Sequence, residues 1–141
     1  MANPSQHAWR VLKRLCRYFG SAPRFIYEFH QQSVQCIDVC TDTDWAGCPK
    51  TCKSTSGGVV MLGKHTKKQW SSTQSGTALS SGEAEFAGVI HWAGQGLGYQ
   101  ALLEDLGIKV PLRVWTDSSA AIGIRSRQGL GKMRHLDTHT L

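Results

Sequence analysis

The sequence predicts an α/β domain built on a mixed sheet, and three observations carry that reading. Runs of alternating apolar and polar residues, bounded by glycine- and lysine-rich turns, occupy residues 34–72. A long helical pattern with a readable N-cap follows at 80–106. A last short strand pattern, 112–116, ends directly on an aspartate where another helix begins. Three successive strands, a helix and then a strand suit an antiparallel meander joined by a helical crossover to a parallel neighbour.

Taken in order, residues 7–19 read as an amphipathic helix. Trp9, Leu12, Leu15 and Phe19 recur at helical spacing among Arg10, Lys13, Arg14 and Arg17, and Gly20, Ser21 and Pro23 end it. Such a helix suits a transit peptide, a membrane-surface helix, a nucleic-acid contact or the tail of a preceding domain. Residues 25–29 form a short aromatic run and read as a strand. In 34–42, Ile37 and Val39 face one way while Asp38, Cys40 and Asp42 face the other. Residues 44–55 hold Gly47, Pro49 and several lysines and read as a loop. Residues 56–62 and 68–72 read as the second and third strands, with a turn at 63–66.

Ser80 and Glu83 then form a capping box. Phe86, Val89, Ile90, Ala93, Leu97, Ala101 and Leu102 are the expected apolar face of the long helix. Gly94, Gly96 and Gly98 weaken it, each by about 0.5–1 kcal/mol relative to Ala, so a kink or break is expected there. No strand precedes these glycines, which argues against a dinucleotide loop. After the 112–116 strand, Ser118 and Ser119 cap a short helix.

Composition narrows the function. The chain has 141 residues, 40% hydrophobic and 18% charged, which is ordinary for one globular domain. No apolar run approaches the roughly 18 residues that a membrane span needs, and the first 24 residues lack the apolar block of a secretory signal. Five cysteines, an odd number, read as free thiols in a reducing compartment. Cys36/Cys40 and Cys48/Cys52 are each four apart, without the closer pairs of a zinc site.

The net charge is +6, and the signs are segregated. Residues 1–27 carry five basic side chains and no acid. Five lysines and no acid lie between Asp44 and Glu83. Arg125, Arg127, Lys132 and Arg134 lie between Asp117 and Asp137 without an acid. Small carboxylate islands in basic surroundings suit a polyanion substrate and a metal site.

Asp42 ends the first strand of the meander, Glu85 lies near a helix start, and Asp117 ends the last strand. In α/β sheets, ligands gather at the carboxyl ends of strands and at neighbouring helix starts. Three convergent carboxylates repel one another unless a cation sits between them. Oxygen-only ligands select hard ions, so Mg²⁺ or Mn²⁺ is expected. Taken singly, each acid has a structural reading: a turn for Asp42, the helix dipole for Glu85, an N-cap for Asp117, a solvated strand position for Asp38. Their joint placement is what points to chemistry. A Ser/His/Asp hydrolase is disfavoured, because no G-x-S-x-G joins a strand to a helix. His135, Asp137 and His139 alternate near the end and suit a polar element better than a metal site.

The segments TDTDWAGCPKTCKSTSGGVVMLG (41–63), QWSSTQSGTALSSGEAEFAGV (69–89), LRVWTDSSAAIGI (112–124) and KMRHLDTHTL (132–141) carry a resemblance to a known family. The chain, over residues 7–141, resembles the ribonuclease H domain of copia-type LTR retrotransposon polyproteins. D-x-D-W-A-G-C followed by S-T-S-G, and S-S-x-E-A-E-F, are its specific motifs.

The resemblance implies a ribonuclease H-like mixed sheet, three antiparallel strands plus a parallel one, over residues 25–141. Residues 1–24 become a basic helix connecting from a reverse transcriptase domain of the same polyprotein. It implies metal-dependent hydrolysis of the RNA strand of RNA–DNA hybrids. Asp42, Glu85 and Asp117 would be the catalytic carboxylates and the ligands of two Mg²⁺ or Mn²⁺ ions. Glu83 stays in its cap. Lys64, Lys67, Lys68 and Trp70 are candidate nucleic-acid contacts, whereas core packing suits Trp92. The implied location is the cytoplasm, in a retrotransposon particle, with the nucleus as an alternative. The family's fourth carboxylate, in a later motif, is absent here, and Asp137 is a weak substitute. The last strand and helix are therefore expected to be missing, and cleavage by the chain as it stands is expected to be poor. The remaining alternatives are an inactive nucleic-acid-binding remnant and a domain supporting an attached reverse transcriptase.

Overall fold

The computed structural model describes residues 4–22, 24 and 26–127. His135, Asp137 and His139, and the basic stretch from residue 128, lie outside the described residues. The chain divides into two compact units, Met1–Gln31 and Gln32–Leu141.

The first unit holds helix α1, Gln6–Ser21. Ser5 caps it, its hydroxyl accepting from the Ala8 N–H at 3.2 Å. The aromatic run at 25–29 forms no strand among the described residues. A strand needs a ladder partner, and the described part of this unit offers none.

Among its described residues, the second unit is a four-stranded sheet with two helices. Its elements are β1 Ile37–Asp44, β2 Thr55–Leu62, β3 His65–Thr73, α2 Ser81–Asp105, β4 Leu112–Trp115 and α3 Ser119–Ser126. The strand order is β3-β2-β1-β4. β1 pairs antiparallel with β2, β2 antiparallel with β3, and β1 parallel with β4. This is the expected mixed sheet, consistent with a ribonuclease H-like α/β fold. The β2–β3 turn is tight because Gly63 takes φ +57°.

Period-2 alternation sorts the sheet into two faces. Ile37, Val39, Val60 and Leu62 point toward α2 and form a core with Trp92 and Val110. Asp38, Cys40 and Asp42 point to the opposite, open face. α2 runs unbroken for 25 residues, so the helix does not break at the glycines. Its buried stripe also differs from the expected aliphatic face. Ala84, Gly88, Trp92 and Gly96 are buried, whereas Leu97 and Leu102 are exposed. The reason is close approach. A Cβ on Gly88 would stand 2.5 Å from Thr43 Oγ1, and one on Gly96 would stand 2.6 Å from Leu112 Cδ1. The helix therefore approaches the sheet most closely at its smallest residues, with Trp92 as its fully buried large side chain and Tyr99 and Leu103 packed at the edge of the core. Trp92 in turn fits only because Gly58 lies beneath it, where a Cβ would come within 2.2 Å of the indole.

Candidate metal centre

Each acid reaches the site through a different local device. Asp42 is the sixth residue of β1, pairs with Gly57 of β2 and points to the open face. Asp117 follows β4 by two residues and directly precedes Ser118, whose hydroxyl caps α3 by accepting from the Ala121 N–H at 3.2 Å. Because β4 lies parallel to β1, with Cys40 opposite Trp115, the two aspartates leave the sheet at the same end.

Glu85 enters from the first turns of α2. The start of that helix is fixed by a reciprocal cap. The Glu83 N–H donates to Ser80 Oγ at 3.2 Å, and the Leu79 N–H donates to Glu83 Oε2 at 3.0 Å. Glu83 is thus buried in its capping role, which leaves Glu85, two residues on, to face the sheet end.

The three carboxylates converge. Asp42, Glu85 and Asp117 each offer an oxygen within 4.8 Å of the others. Asp42 and Asp117 are exposed, and Glu85 is half-buried. Burial and the charges of Asp42 and Asp117 raise the Glu85 carboxyl above its usual range, opposed by a hydrogen bond from the Thr43 backbone. Glu85 Oε2 is buried without a hydrogen-bond partner among the described residues. A buried acceptor beside two further anionic acceptors fits a hard divalent cation, which would satisfy the orphaned oxygen and cancel the repulsion. The donor set is all oxygen, which suits Mg²⁺ or Mn²⁺ over a softer ion.

The four candidate contacts elsewhere lie as follows. Lys64 sits in the β2–β3 turn, at the end of the sheet away from Asp42, and its backbone N–H donates to Gln32 Oε1 at 3.0 Å. Lys67 is exposed on β3. Lys68 points to the α2 side, where its Nζ donates to Gln95 Oε1 at 2.9 Å and lies 3.9 Å above the Trp70 ring. Trp70 packs on Trp92, with ring centroids 4.6 Å apart. Structural packing thus occupies Lys68 and Trp70.

Comparison with known proteins gives the chain a context. It is similar to a stretch of transposon Pol polyproteins. The Retrovirus-related Pol polyprotein from transposon RE2 of Arabidopsis thaliana is 31% identical over 123 residues, and that from transposon RE1 of the same plant is 30% identical over the same length. Each alignment covers 86% of this chain and 8% of the relative, so the chain spans a small fraction of those polyproteins. The Secreted RxLR effector protein 161 of Plasmopara viticola is 33% identical over 85 residues, covering 60% of both chains. No protein-family model matches the chain. No solved structure matches it.

Two structural residues were not singled out in the sequence. Gln74 donates from Nε2 to Ser56 Oγ at 2.7 Å and to the Ala84 carbonyl at 2.8 Å, tying β2 to the start of α2. Trp45 donates from Nε1 to the Ala78 carbonyl at 3.2 Å, tying the loop after β1 to the segment before α2. A polar residue and a tryptophan in loops carry no periodic signal, so only the fold reveals them.

Proposed function

We propose that this chain is the metal-dependent ribonuclease H region of a retrotransposon polyprotein, hydrolysing the RNA strand of RNA–DNA hybrids. One observation carries the reading: Asp42, Glu85 and Asp117, from three separate parts of the chain, each offer an oxygen within 4.8 Å of the others, and Glu85 Oε2 is buried without a hydrogen-bond partner among the described residues. Asp42, Glu85 and Asp117 would hold two Mg²⁺ or Mn²⁺ ions. Ions held there supply positive charge against the developing charge on a phosphodiester and lower the pKa of a bound water.

The chain's own residues supply the rest. Asp42 sits on β1 paired with Gly57 of β2, just beyond the Ile37–Cys40 stretch that β4 flanks on the other side, so its carboxylate rises from an ordered strand. Glu85 is held by the capped start of α2. The basic stretches draw in a polyanion, and exposed Lys64 and Lys67 are the proposed phosphate contacts farther along the sheet. Hybrid would be told from DNA duplex through its 2′-hydroxyls. The partner in the parent polyprotein would be its reverse transcriptase domain.

The test is cleavage of a labelled RNA–DNA hybrid in Mg²⁺ and in Mn²⁺, comparing the chain with Asp42→Asn. Weak divalent-dependent cuts in the RNA strand, lost in the variant, are expected. Salt-sensitive binding without any cleavage would replace the enzyme by a nucleic-acid-binding remnant. Tight association with a reverse transcriptase domain and little hybrid affinity would replace it by a supporting domain.

A further inference from the structure

The loop between β1 and β2 carries two cysteines that neither the core nor the carboxylate cluster uses. Cys48 is half-buried, Cys52 is exposed, and both thiols are free. Two backbone hydrogen bonds close the turn that holds them. The Cys52 N–H donates to the Cys48 carbonyl at 2.8 Å, and the Cys48 N–H donates to the Lys53 carbonyl at 3.3 Å. A bond from residue i+4 back to residue i sets the two Cα atoms about 6 Å apart. A disulfide spans Cα separations of roughly 4.4–6.8 Å. The loop is also fastened at both flanks, by Trp45 Nε1 on the Ala78 carbonyl and by the Ala46 N–H on Ser54 Oγ at 3.1 Å. The backbone is therefore already closed around the pair, and a bridge between the sulfurs needs no further loop closure.

The surroundings of Cys48 favour its thiolate. The Thr51 hydroxyl, and the N–H groups of Thr51 and Lys50, donate to the Cys48 sulfur and lower its thiol below the usual range, against the opposing effect of burial. Cys36, just before β1, is the contrast. Burial and its hydrogen bond to Asp38 raise that thiol and hold it protonated. Lys50 lies between Cys48 and Cys52, and Lys53 follows, so the charge of the loop suits an anionic reagent. Cys52 is exposed and left-handed, with φ +52°, where asparagine or glycine is the usual residue. Packing does not account for a second thiol there.

We propose that Cys48 and Cys52 are a reversible dithiol–disulfide site, oxidised by a small anionic disulfide of the glutathione type. The Cys48 thiolate attacks one sulfur of the reagent, the reagent's S–S bond breaks, and one thiolate leaves. The Cys52 thiol gives its proton to solvent and attacks the Cys48 sulfur of the mixed disulfide, expelling the second thiolate. Two protein thiols become one disulfide, and the reagent disulfide becomes two thiols, which take up the two protons. A bridge that closes so short a loop gains little from chain entropy, so an excess of reduced thiol reopens it. The site stands independently of the nuclease reading.

The test treats the full chain with oxidised glutathione at pH 7, blocks the remaining thiols, digests with trypsin and reads the peptides by mass spectrometry. Trypsin cuts after Lys50, so a bridge between Cys48 and Cys52 holds together two peptides that reduction separates. Fragment spectra tell Cys48 from Cys36 and Cys40 in the longer peptide. The bridge should form in the parent chain and reopen in reduced glutathione. Cys52→Ser should stop at one glutathione on Cys48, and Cys48→Ser should form no bridge. Cys48 should be alkylated faster than Cys36 in the parent chain. Thr51→Val should slow the alkylation of Cys48 about threefold, because the loss of thiolate is partly offset by its higher nucleophilicity. A parent chain that leaves both thiols free, keeps a stable glutathione on Cys48, or pairs Cys52 with another cysteine overturns the proposal. Alkylation of Cys48 no faster than that of Cys36 overturns it as well. Hybrid cleavage is read separately on the reduced chain, so either reading can fail without the other.

Discussion

Asp38 on β1 grips Arg113 on β4 with two parallel hydrogen bonds. Arg113 Nε donates to Oδ1 at 2.8 Å and Nη2 to Oδ2 at 2.9 Å. Trp115 Nε1 donates to the same Oδ1 at 2.7 Å. These contacts span residues at least 75 positions apart in the chain and fasten the parallel pair on its open face. The Arg113 guanidinium holds the Asp38 carboxyl at about 2.

A folded value below the ordinary 3.8 means that this pair stabilises the native state fully above pH 3.8 and loses that contribution as pH falls through about 2. The guanidinium side chain is 52% exposed and the carboxylate 18%, so the contribution is about 1 kcal/mol once solvent screening is allowed for. Asp38→Asn should therefore show a lower urea midpoint than the parent chain at pH 6. The two midpoints should converge near pH 2. A gap that persists at pH 2 would place the effect in packing.

Gly94, Gly96 and Gly98 of α2 should respond to alanine with opposite signs. A Cβ on Gly94 or Gly98 meets nothing within 4 Å, so Gly94→Ala and Gly98→Ala should each add about 0.5–1 kcal/mol of stability. A Cβ on Gly96 would crowd Leu112 and Val39, so Gly96→Ala should cost about 1–3 kcal/mol. Thermal melts of the three variants check this, and equal shifts would contradict the close helix–sheet contact.

Glu85 should be a liability without metal and an asset with it. Its carboxyl is raised by burial and by Asp42 and Asp117. The stability linked to its protonated form is present below the ordinary 4.5 and is lost as pH rises through the raised value. Glu85→Gln should thus be more stable than the parent chain at pH 7 in a chelator. Saturating Mg²⁺ should reverse the order. At one hundred times its dissociation constant, a bound ion adds about 2.7 kcal/mol to the parent chain. A melt series in EDTA and Mg²⁺ with both proteins decides it.

The neighbouring glutamate should behave differently. Glu83 accepts the Leu79 N–H within the cap, so Glu83→Ala should cost about 1 kcal/mol. The Mg²⁺-induced rise in melting temperature should survive in that variant and vanish in Glu85→Gln. Equal loss in both would mean that cap and site cannot be separated.

How much of this was legible in the sequence depends on the range of the signal. The faces of β1 followed from alternation, since Ile37 and Val39 are buried and Cys40 and Asp42 exposed. The Ser80–Glu83 box placed the start of α2 within one residue. The convergence of Asp42, Glu85 and Asp117 was anticipated from strand ends and the helix start. The buried stripe of α2 was not legible. Hydropathy favours Leu97 and Leu102, but a helix pressed against a sheet selects for small size, which Gly88 and Gly96 supply. The aromatic run at 25–29 has strand propensity, yet its described residues form no strand, and propensity alone does not make a ladder. Asp38 was read as a solvated strand residue because nothing local announces Arg113 or Trp115. The engagement of Lys68 with Gln95 was likewise hidden, because basic residues on a strand give no hint of which face they serve.

The parallel seam between β1 and β4 has a kinetic consequence. The β1–β2–β3 meander is local and can close through the 45–54 loop and the tight turn at 63–64, whereas β4 must wait for a longer connection containing all of α2 to close behind it. Asp42 belongs to the early part and Asp117 to the late part. The carboxylate cluster therefore comes into being only with the last long-range closure, and divalent-ion affinity becomes a reporter of that final event. A chain stalled at the meander would carry a sheet and yet have no place for an ion. The order in which tryptophan fluorescence and metal uptake recover during refolding should reveal the interval between the two.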